Sequence, residues 1–141
     1  MLSLSKQIVC DGEGISKLIE VNVINAKTNI QASKIAFSIA ESLLVKTAIY
    51  GQDANWGRVI MAIGKTFEKI KQNKIILNIG GLIVAENGMI STKIDLKELA
   101  KYMKNKIISI NLNLQLGKKN KTVWSSDLTN EYIKINSDYR S

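Results

Sequence analysis

The sequence has no histidine, no proline and a single cysteine, Cys10. Without histidine, these residues cannot form a Ser-His-Asp triad, a Cys-His pair or a zinc site with histidine ligands. One cysteine excludes an internal disulfide and a CxxC pair, which fits a reducing compartment. The 141 residues are 45% hydrophobic, which is enough apolar material to fill the core of one domain. The sequence therefore favours a folded protein whose chemistry does not depend on imidazole or on paired thiols.

Long apolar runs are missing as well. No stretch approaches the roughly 20 apolar residues that a membrane helix needs. The residues before Asp11 are too polar for the hydrophobic part of a secretory signal. We therefore expect a cytoplasmic protein with no membrane partner.

Positive charge is plentiful and concentrated in the middle of the sequence. The formal net charge is +8, and residues 59–121 hold twelve lysines against four acidic residues. Such a basic region can neutralise phosphates, so a nucleic-acid-binding protein is one interpretation. However, no aromatic RNA-binding motif, helix-turn-helix pattern or zinc finger accompanies the charge. We interpret the lysines as solvated surface and expect no nucleic-acid partner.

The first half of the sequence alternates between strand and helix periodicity. Residues 17–24 alternate apolar and polar side chains, which predicts a strand. From Thr28 or Asn29, either of which can cap a helix, apolar residues recur every three to four positions. The short apolar run 43–50 favours a second strand, and residues 55–67 return to helical spacing.

The second half is richer in strand patterns. Residues 75–79 and 82–85 flank two glycines and predict a hairpin, while Asp95 is a candidate cap for a short helix. Apolar residues alternate without a break over 108–116, which predicts another strand, and residues 127–135 have weaker helical spacing. The expected fold class is therefore α+β, a mixed sheet with hairpins and a few amphipathic helices packed on it.

Three polar segments are candidates for function: residues 11–17, 51–58 and 124–141. In the first segment, two glycines bracket Glu13, and such a loop can present a carboxylate to a ligand. An ordinary acidic turn explains the same residues. The second segment carries Trp56 and equally fits the start of a helix with a packed tryptophan.

Four stretches together resemble one known family. They are residues 11–17 (DGEGISK), 45–59 (VKTAIYGQDANWGRV), 79–88 (IGG…ENG) and 127–141 (DLT…YIKINSDYRS). In this order, they resemble the C-terminal part of ornithine acetyltransferase, the ArgJ family, whose members are in many cases also N-acetylglutamate synthases. The resemblance implies that residues 1–141 form the C-terminal region of an ornithine acetyltransferase β chain.

The resemblance also implies an acyltransferase that works without a cofactor. In this family an acetyl group passes from N2-acetyl-L-ornithine to L-glutamate through a threonine acyl-enzyme, as a step of arginine biosynthesis. Acetyl-CoA is a second acetyl donor in bifunctional members. The residues before Asp11 include no threonine, so the nucleophile is expected in a part of the enzyme outside residues 1–141. The implied partners are the α chain and the remainder of the β chain, in an α2β2-type assembly.

By the same resemblance, Glu13, Asn136 and Ser141 bind substrate, and none of these residues is a catalytic nucleophile. Lys17, Asp53, Asn55 and Arg58 belong to matching motifs. By the resemblance, we expect them near the site or, for residues 53–58, at the contact with the α chain. The acyl transfer that the resemblance implies needs no metal ion.

Another class of function stays open at this point. The chain could instead be an inactive remnant of a truncated gene, or a module that binds amino acids without catalysis. In the family that this chain resembles, the threonine nucleophile becomes the N-terminus of the β chain when the precursor cleaves itself at an Ala-Thr bond. An upstream reading frame that ends in family-like sequence with such a site would therefore favour the enzyme.

Overall fold

A computed structural model describes residues 17–127, which form one mixed sheet with helices packed against it. The fold class is α+β, as the sequence predicts. In chain order the elements are β1 (Leu18–Ala26), α1 (Asn29–Glu41), α2 (Leu43–Tyr50), α3 (Trp56–Gly64), a single 3-10 turn (Gln72–Lys74), β2 (Ile76–Ile79), β3 (Leu82–Glu86), β4 (Met89–Ile90), α4 (Leu96–Tyr102), β5 (Ile107–Asn113) and β6 (Lys119–Ser126).

The sheet has six strands in the order β4-β3-β2-β5-β1-β6. Strands β1 and β5 lie parallel at its centre, and every other pairing is antiparallel. The strands β2 and β3 form the predicted hairpin, and Gly80 between them has a φ of 62°. A side chain at Gly80 would clash with the ring of Tyr102, which fills that space. The hairpin is thereby fixed against α4.

The two faces of the sheet differ in chemistry. One face is apolar and packs under the helices, with Val21, Ile110 and Leu77 fully buried on neighbouring strands. The other face carries a ladder of hydrogen-bonded side chains, because Asn22 and Asn111 lie in register. Asn22 Nδ2 donates to Asn111 Oδ1 over 2.8 Å. This alternation of buried apolar and half-buried polar residues is why residues 17–24 were predictable as a strand.

Helix α1 confirms the prediction of an amphipathic helix after Thr28. Thr28 is its N-cap, and the hydroxyl oxygen accepts a hydrogen bond from Gln31 N at 3.0 Å. The buried side of α1 packs on β1 and β6 with Ala32, Ile35, Ala36, Ile39 and Ala40. The small alanines allow the helix to approach the sheet closely, so α1 closes the core.

The predicted strand over residues 43–50 is wrong, because this segment forms helix α2. Ser42 caps it, since its hydroxyl accepts from Val45 N at 3.3 Å. Val45, Ala48 and Ile49 are the buried residues, at helical spacing. A short apolar run rich in β-branched residues fits both a strand and a buried helix, and here packing against α1 and α3 decides for the helix.

Strand β6 was not predicted, and β5 is shorter than expected. Strand β6 lies at the sheet edge, where only Val123 is buried, so it lacks the apolar alternation that identifies a strand. Strand β5 ends at Asn113, although Leu114 is also buried, and Gln115 has a φ of 53° that breaks the strand. The weak helical pattern over residues 128–135 lies outside the described residues.

Candidate functional site

The first and last described residues, Lys17 and Asp127, lie side by side. Lys17 N donates to the carboxylate Oδ1 of Asp127 over 2.9 Å, and Asp127 N donates to Lys17 O over 3.2 Å. These bonds continue the antiparallel pairing of β1 with β6, in which Leu18 faces Ser126. The pairing therefore brings two residues that are 110 positions apart in sequence to one corner of the sheet.

The Lys17 side chain is buried at this corner and points to the end of helix α4. Its ammonium donates to Met103 O at 2.8 Å and to Asn105 O at 2.6 Å. Only 7% of Lys17 is exposed. The last carbonyls of a helix carry partial negative charge and lack partners within the helix, so a cation is favourable there. Burial lowers the pKa of Lys17 below its ordinary value, and the nearby Asp127 carboxylate opposes this effect.

Helix α4 and the loop after it are fixed independently of Lys17. Asp95 caps the start of α4, since its carboxylate accepts from Lys97 N and Glu98 N at 3.0 and 3.2 Å. At the other end, the Tyr102 hydroxyl accepts from Ser109 N at 2.8 Å. The carbonyls that receive the Lys17 ammonium are therefore held in place. We call the group formed by Lys17, Met103, Asn105 and Asp127 the terminal junction.

The second group of predicted site residues, Asp53, Asn55 and Arg58, lies at the entry to helix α3. Asn55 caps α3, because its Oδ1 accepts from Arg58 N at 3.2 Å, and its Nδ2 donates to Asp53 at 3.3 Å. The Arg58 guanidinium donates to Leu44 O at 2.8 Å and to the Thr47 hydroxyl at 3.2 Å, and so joins α3 to α2. Each contact is explained by capping or by helix packing.

The structure does not gather the predicted residues into one described site. Lys17 bonds to the loop after α4 and to the end of β6, whereas Asp53, Asn55 and Arg58 bond to each other and to α2. Glu13, Asn136 and Ser141 lie outside the described residues, so their predicted roles are not tested by the geometry.

Asp127 is the residue that sequence reasoning missed. It is 1% exposed, so its carboxylate is a buried charge at the terminal junction. Nothing in the sequence around it identifies its partner, because Lys17 is too distant along the chain. The only available signal was its place in the DLT motif of the resemblance.

Residues 17–127 contain neither a metal-binding cluster nor a membrane-spanning helix. Across this range, no group of three or more His, Cys, Asp or Glu side chains is placed to hold a metal ion. Within the same range, no helix is long and apolar enough to cross a membrane.

Comparison with known sequences gives matches over the entire chain. The profile of the ArgJ family matches residues 1–141. The arginine biosynthesis bifunctional protein ArgJ of Caulobacter vibrioides is 43% identical over 141 residues, which is 100% of this chain and 35% of that protein. The proteins of the same name from Bartonella henselae and Zymomonas mobilis are 49% and 47% identical over 138 and 140 residues, 98% and 99% of this chain and 34% of each protein. The chain thus spans about a third of the length of these relatives.

Comparison with solved structures agrees with the sequence matches. The crystal structure of arginine biosynthesis bifunctional protein ArgJ from Bacillus halodurans superposes with a TM-score of 0.89 at 40% identity. The superposition covers 97% of this chain and 64% of that one. Agreement in sequence, over the whole chain, and in fold leads to one assignment: this chain belongs to the ArgJ family.

Proposed function

We propose that this chain is the C-terminal part of a glutamate N-acetyltransferase, which moves an acetyl group from N2-acetyl-L-ornithine to L-glutamate. The observation that carries the proposal is the 43% identity over all 141 residues to a protein named for arginine biosynthesis. Because the chain spans about a third of that relative, the activity belongs to a larger assembly. An enzyme that acts on free amino acids of a biosynthetic pathway fits the cytoplasm.

The geometry of the terminal junction supports a substrate-binding role for both ends of the chain. Glu13 precedes Lys17 by four residues, and Asn136 follows Asp127 by nine. Since Lys17 and Asp127 are hydrogen-bonded to each other, both segments join the sheet at one corner. Residues from the two ends of the chain can therefore contribute to one site.

The proposed reaction is an acyl transfer in two steps. A threonine outside residues 1–141 attacks the acetyl carbonyl of N-acetylornithine with its hydroxyl oxygen and forms an ester. The amine of ornithine leaves and takes up the proton that the hydroxyl loses. The amine of glutamate then attacks the ester, releases the threonine hydroxyl and forms N-acetylglutamate. Acetyl-CoA can supply the acetyl group in the first step instead, with the thiol as leaving group.

In this scheme the chain supplies recognition, and other parts of the enzyme supply the nucleophile. The Glu13 carboxylate pairs with a substrate ammonium through a charge-assisted hydrogen bond. Asn136 and Ser141 bind the carboxylate or amide of the substrate with neutral donors and acceptors. The Asp53–Arg58 segment lies near the contact with the rest of the enzyme. No cofactor takes part.

Exposed apolar side chains support a larger assembly. Seven large hydrophobic residues of the described part are more than half exposed, which is compatible with burial of some of them in a larger assembly. We propose that the α chain and the remainder of the β chain cover some of these side chains in an α2β2-type enzyme. The seven residues are Ile30, Leu43, Met61, Phe67, Met89, Ile90 and Leu96.

The test is a chimera in which this chain replaces the matching third of the Caulobacter vibrioides protein. Formation of N-acetylglutamate from N-acetylornithine and labelled glutamate is measured on the purified chimera. We expect turnover by the chimera, and none by the 141-residue chain alone, because the chain lacks the nucleophile. Glu13→Gln should lower kcat/KM at least about tenfold, since it removes the charge that pairs with the ammonium.

The matched control is Glu41→Gln at the exposed end of α1, which makes the same chemical change away from the terminal junction. It should leave kcat/KM unchanged. An intact, folded chimera without turnover would contradict the proposal, and would favour a remnant. Binding of N-acetylornithine by the chain alone would favour an amino-acid-binding module.

A further inference from the structure

The turn between β3 and β4 consists of Asn87 and Gly88, and it lies at one edge of the described sheet. Strand β4 has only two residues, Met89 and Ile90, which pair with the end of β3. Asn87 and Gly88 have φ values of 54° and 77°, as a two-residue hairpin turn requires. All four of these residues are exposed, so the turn is accessible to water and base.

Two reactive groups stand next to each other in this turn. The side-chain amide carbon of Asn87, Cγ, is an electrophile, and the main-chain nitrogen of Gly88 is the nucleophile that can close a five-membered ring with it. Neither the Asn87 side chain nor Gly88 N makes a hydrogen bond to another residue within 17–127. Glycine has no Cβ to obstruct the ring closure. Asn87 is also the one asparagine of the sequence that precedes a glycine.

We propose that Asn87 is a site of spontaneous modification, at which the side chain loses ammonia and the residue becomes aspartate or isoaspartate. Gly88 N attacks Cγ of Asn87, so that an N–Cγ bond forms and the Cγ–Nδ2 bond breaks. The proton of Gly88 N leaves with the amide nitrogen as ammonia. Water then opens the cyclic imide: addition at Cγ gives aspartate, and addition at the main-chain carbonyl of residue 87 gives isoaspartate. Water is the only co-reactant, and no group is oxidised or reduced.

The short edge strand lets the turn reach the reactive conformation. Ring closure requires rotation of the main chain at Asn87, which disturbs the pairing of β4 with β3. Met89 and Ile90 are already 65% and 53% exposed, so this opening removes little apolar surface from the core. Segments with few buried contacts open at a small fraction of the free energy of global unfolding. The reaction can therefore proceed while the rest of the sheet stays folded.

Isoaspartate changes the hairpin more than aspartate does. It adds one carbon atom to the main chain within the turn, and the length of a hairpin turn sets the register of its two strands. Just beyond β4, Ser91 N donates to Val84 O at 3.0 Å, a bond that depends on this register. We expect the isoaspartyl form to lose this bond and to release β4 from the edge of the sheet.

The first experiment incubates the 141-residue chain for days in mildly alkaline buffer and follows each asparagine by peptide mass spectrometry. The internal references are Asn73, Asn105 and Asn120, which are exposed but precede lysine. Asn87 should convert several-fold faster than these three. Gly88→Ala should slow the conversion several-fold, because the methyl group hinders the attack. The new Cβ has room, since its nearest neighbour is the Cα of Asn73 at 3.7 Å.

Either of two results would overturn the proposed modification site. One is conversion of Asn87 at the rate of the three references, and the other is an undiminished rate in Gly88→Ala. Neither measurement involves acetyl transfer, so the result is independent of the proposed function.

The second experiment tests the structural consequence by hydrogen exchange at the Ser91 amide. The isoaspartyl form, separated by chromatography, should exchange this amide several-fold faster than the unmodified chain. Freshly purified Asn87→Asp is the matched control, because it carries the new charge without the longer main chain and should keep the amide protected. Equal protection in the isoaspartyl form would show that β4 stays paired and would overturn the release of the strand.

Discussion

The terminal junction and the Asp53–Arg58 segment both carry residues that the family resemblance places near the substrate site, yet they are built in opposite ways. Hydrogen bonds of the Lys17 side chain and main chain join residues 86 to 110 positions apart in sequence, and they are buried or partly buried. Side-chain bonds of the Asp53–Arg58 segment join residues two to fourteen positions apart, mostly at the surface.

This difference shows that a polar residue can belong to a motif for either of two reasons, a local structural role or a contact with a distant part of the chain. Asn55 and Arg58 have a complete local explanation, because a helix start needs a cap and neighbouring helices gain from a cross-link. Lys17 and Asp127 have no local explanation, since only the assembled sheet brings them together. The contacts of Lys17 and Asp127 thus depend on strand pairing, whereas those of Asn55 and Arg58 depend on the local helix start.

The largest expected effect is that of Asp127→Ala on stability. The substitution leaves Lys17 N without its acceptor and removes a carboxylate that stabilises a buried ammonium, so we expect a loss of about 2–4 kcal/mol. Urea unfolding of the 141-residue chain measures it. The matched control, Asp53→Ala at an exposed position, should change the free energy of unfolding by less than about 0.5 kcal/mol. Equal losses for both variants would remove the contrast between the two regions.

The next effect is a dependence of stability on pH that arises at the terminal junction. Burial lowers the pKa of Lys17 in the folded protein, so between that pKa and the ordinary value of 10.5 the unfolded chain binds more protons. The free energy of unfolding of the wild type, relative to Lys17→Met, should therefore rise as the pH increases through this window. The slope stays below about 1.4 kcal/mol per pH unit because one proton is involved. A falling or flat difference would contradict the burial of the ammonium.

A smaller loss is expected from Asn55→Ala in the Asp53–Arg58 segment. The side chain that accepts from Arg58 N disappears, which costs about 1 kcal/mol for a helix N-cap. Asn55→Asp keeps an acceptor at the cap and should retain most of the stability. In the chimera, Asn55→Ala should leave KM within about twofold. A tenfold rise in KM would show that this segment also contributes to the substrate site.

The smallest expected effect lies outside both regions, at Phe67. This residue follows α3 with a φ of 56°, and 93% of it is exposed. Glycine adopts this conformation without the penalty of about 1–2 kcal/mol that other residues incur, although it loses more entropy on folding. Phe67→Gly should therefore raise the unfolding free energy of the chain by about 0.5 kcal/mol. Phe67→Ala removes the ring and keeps the conformation, so it should give no gain.

Local patterns explain which parts of the fold were predictable. Strand β1 and helix α1 were predicted because each shows one clear periodicity over its full length, and Thr28 supplies the expected cap. Helix α2 was mistaken for a strand, since eight residues of mostly apolar and β-branched type fit both structures. Strand β6 was missed because an edge strand with one buried residue carries no apolar alternation.

The candidate site was predictable only through resemblance. Glu13, Asn136 and Ser141 were named by matching motifs, and no periodicity or spacing of the sequence distinguishes them from polar residues of ordinary turns. Asp127 was not named, although the structure places it beside Lys17. Two residues that contact each other across a long stretch of chain leave no pattern in the sequence around either of them. Local sequence patterns therefore could not reveal the contact between Lys17 and Asp127.

The sequence by itself determined the elements whose side chains repeat at a regular period, the cap at Asp95, the choice of Thr28 or Asn29 as the first cap, and the membership of the ArgJ family. The tertiary structure alone decided that residues 43–50 form a helix, that β6 pairs with β1, and that Lys17 meets Asp127. The physical reason is the range of the interactions. Periodicity and capping act within a few residues, whereas burial and strand pairing depend on which distant segment lies alongside.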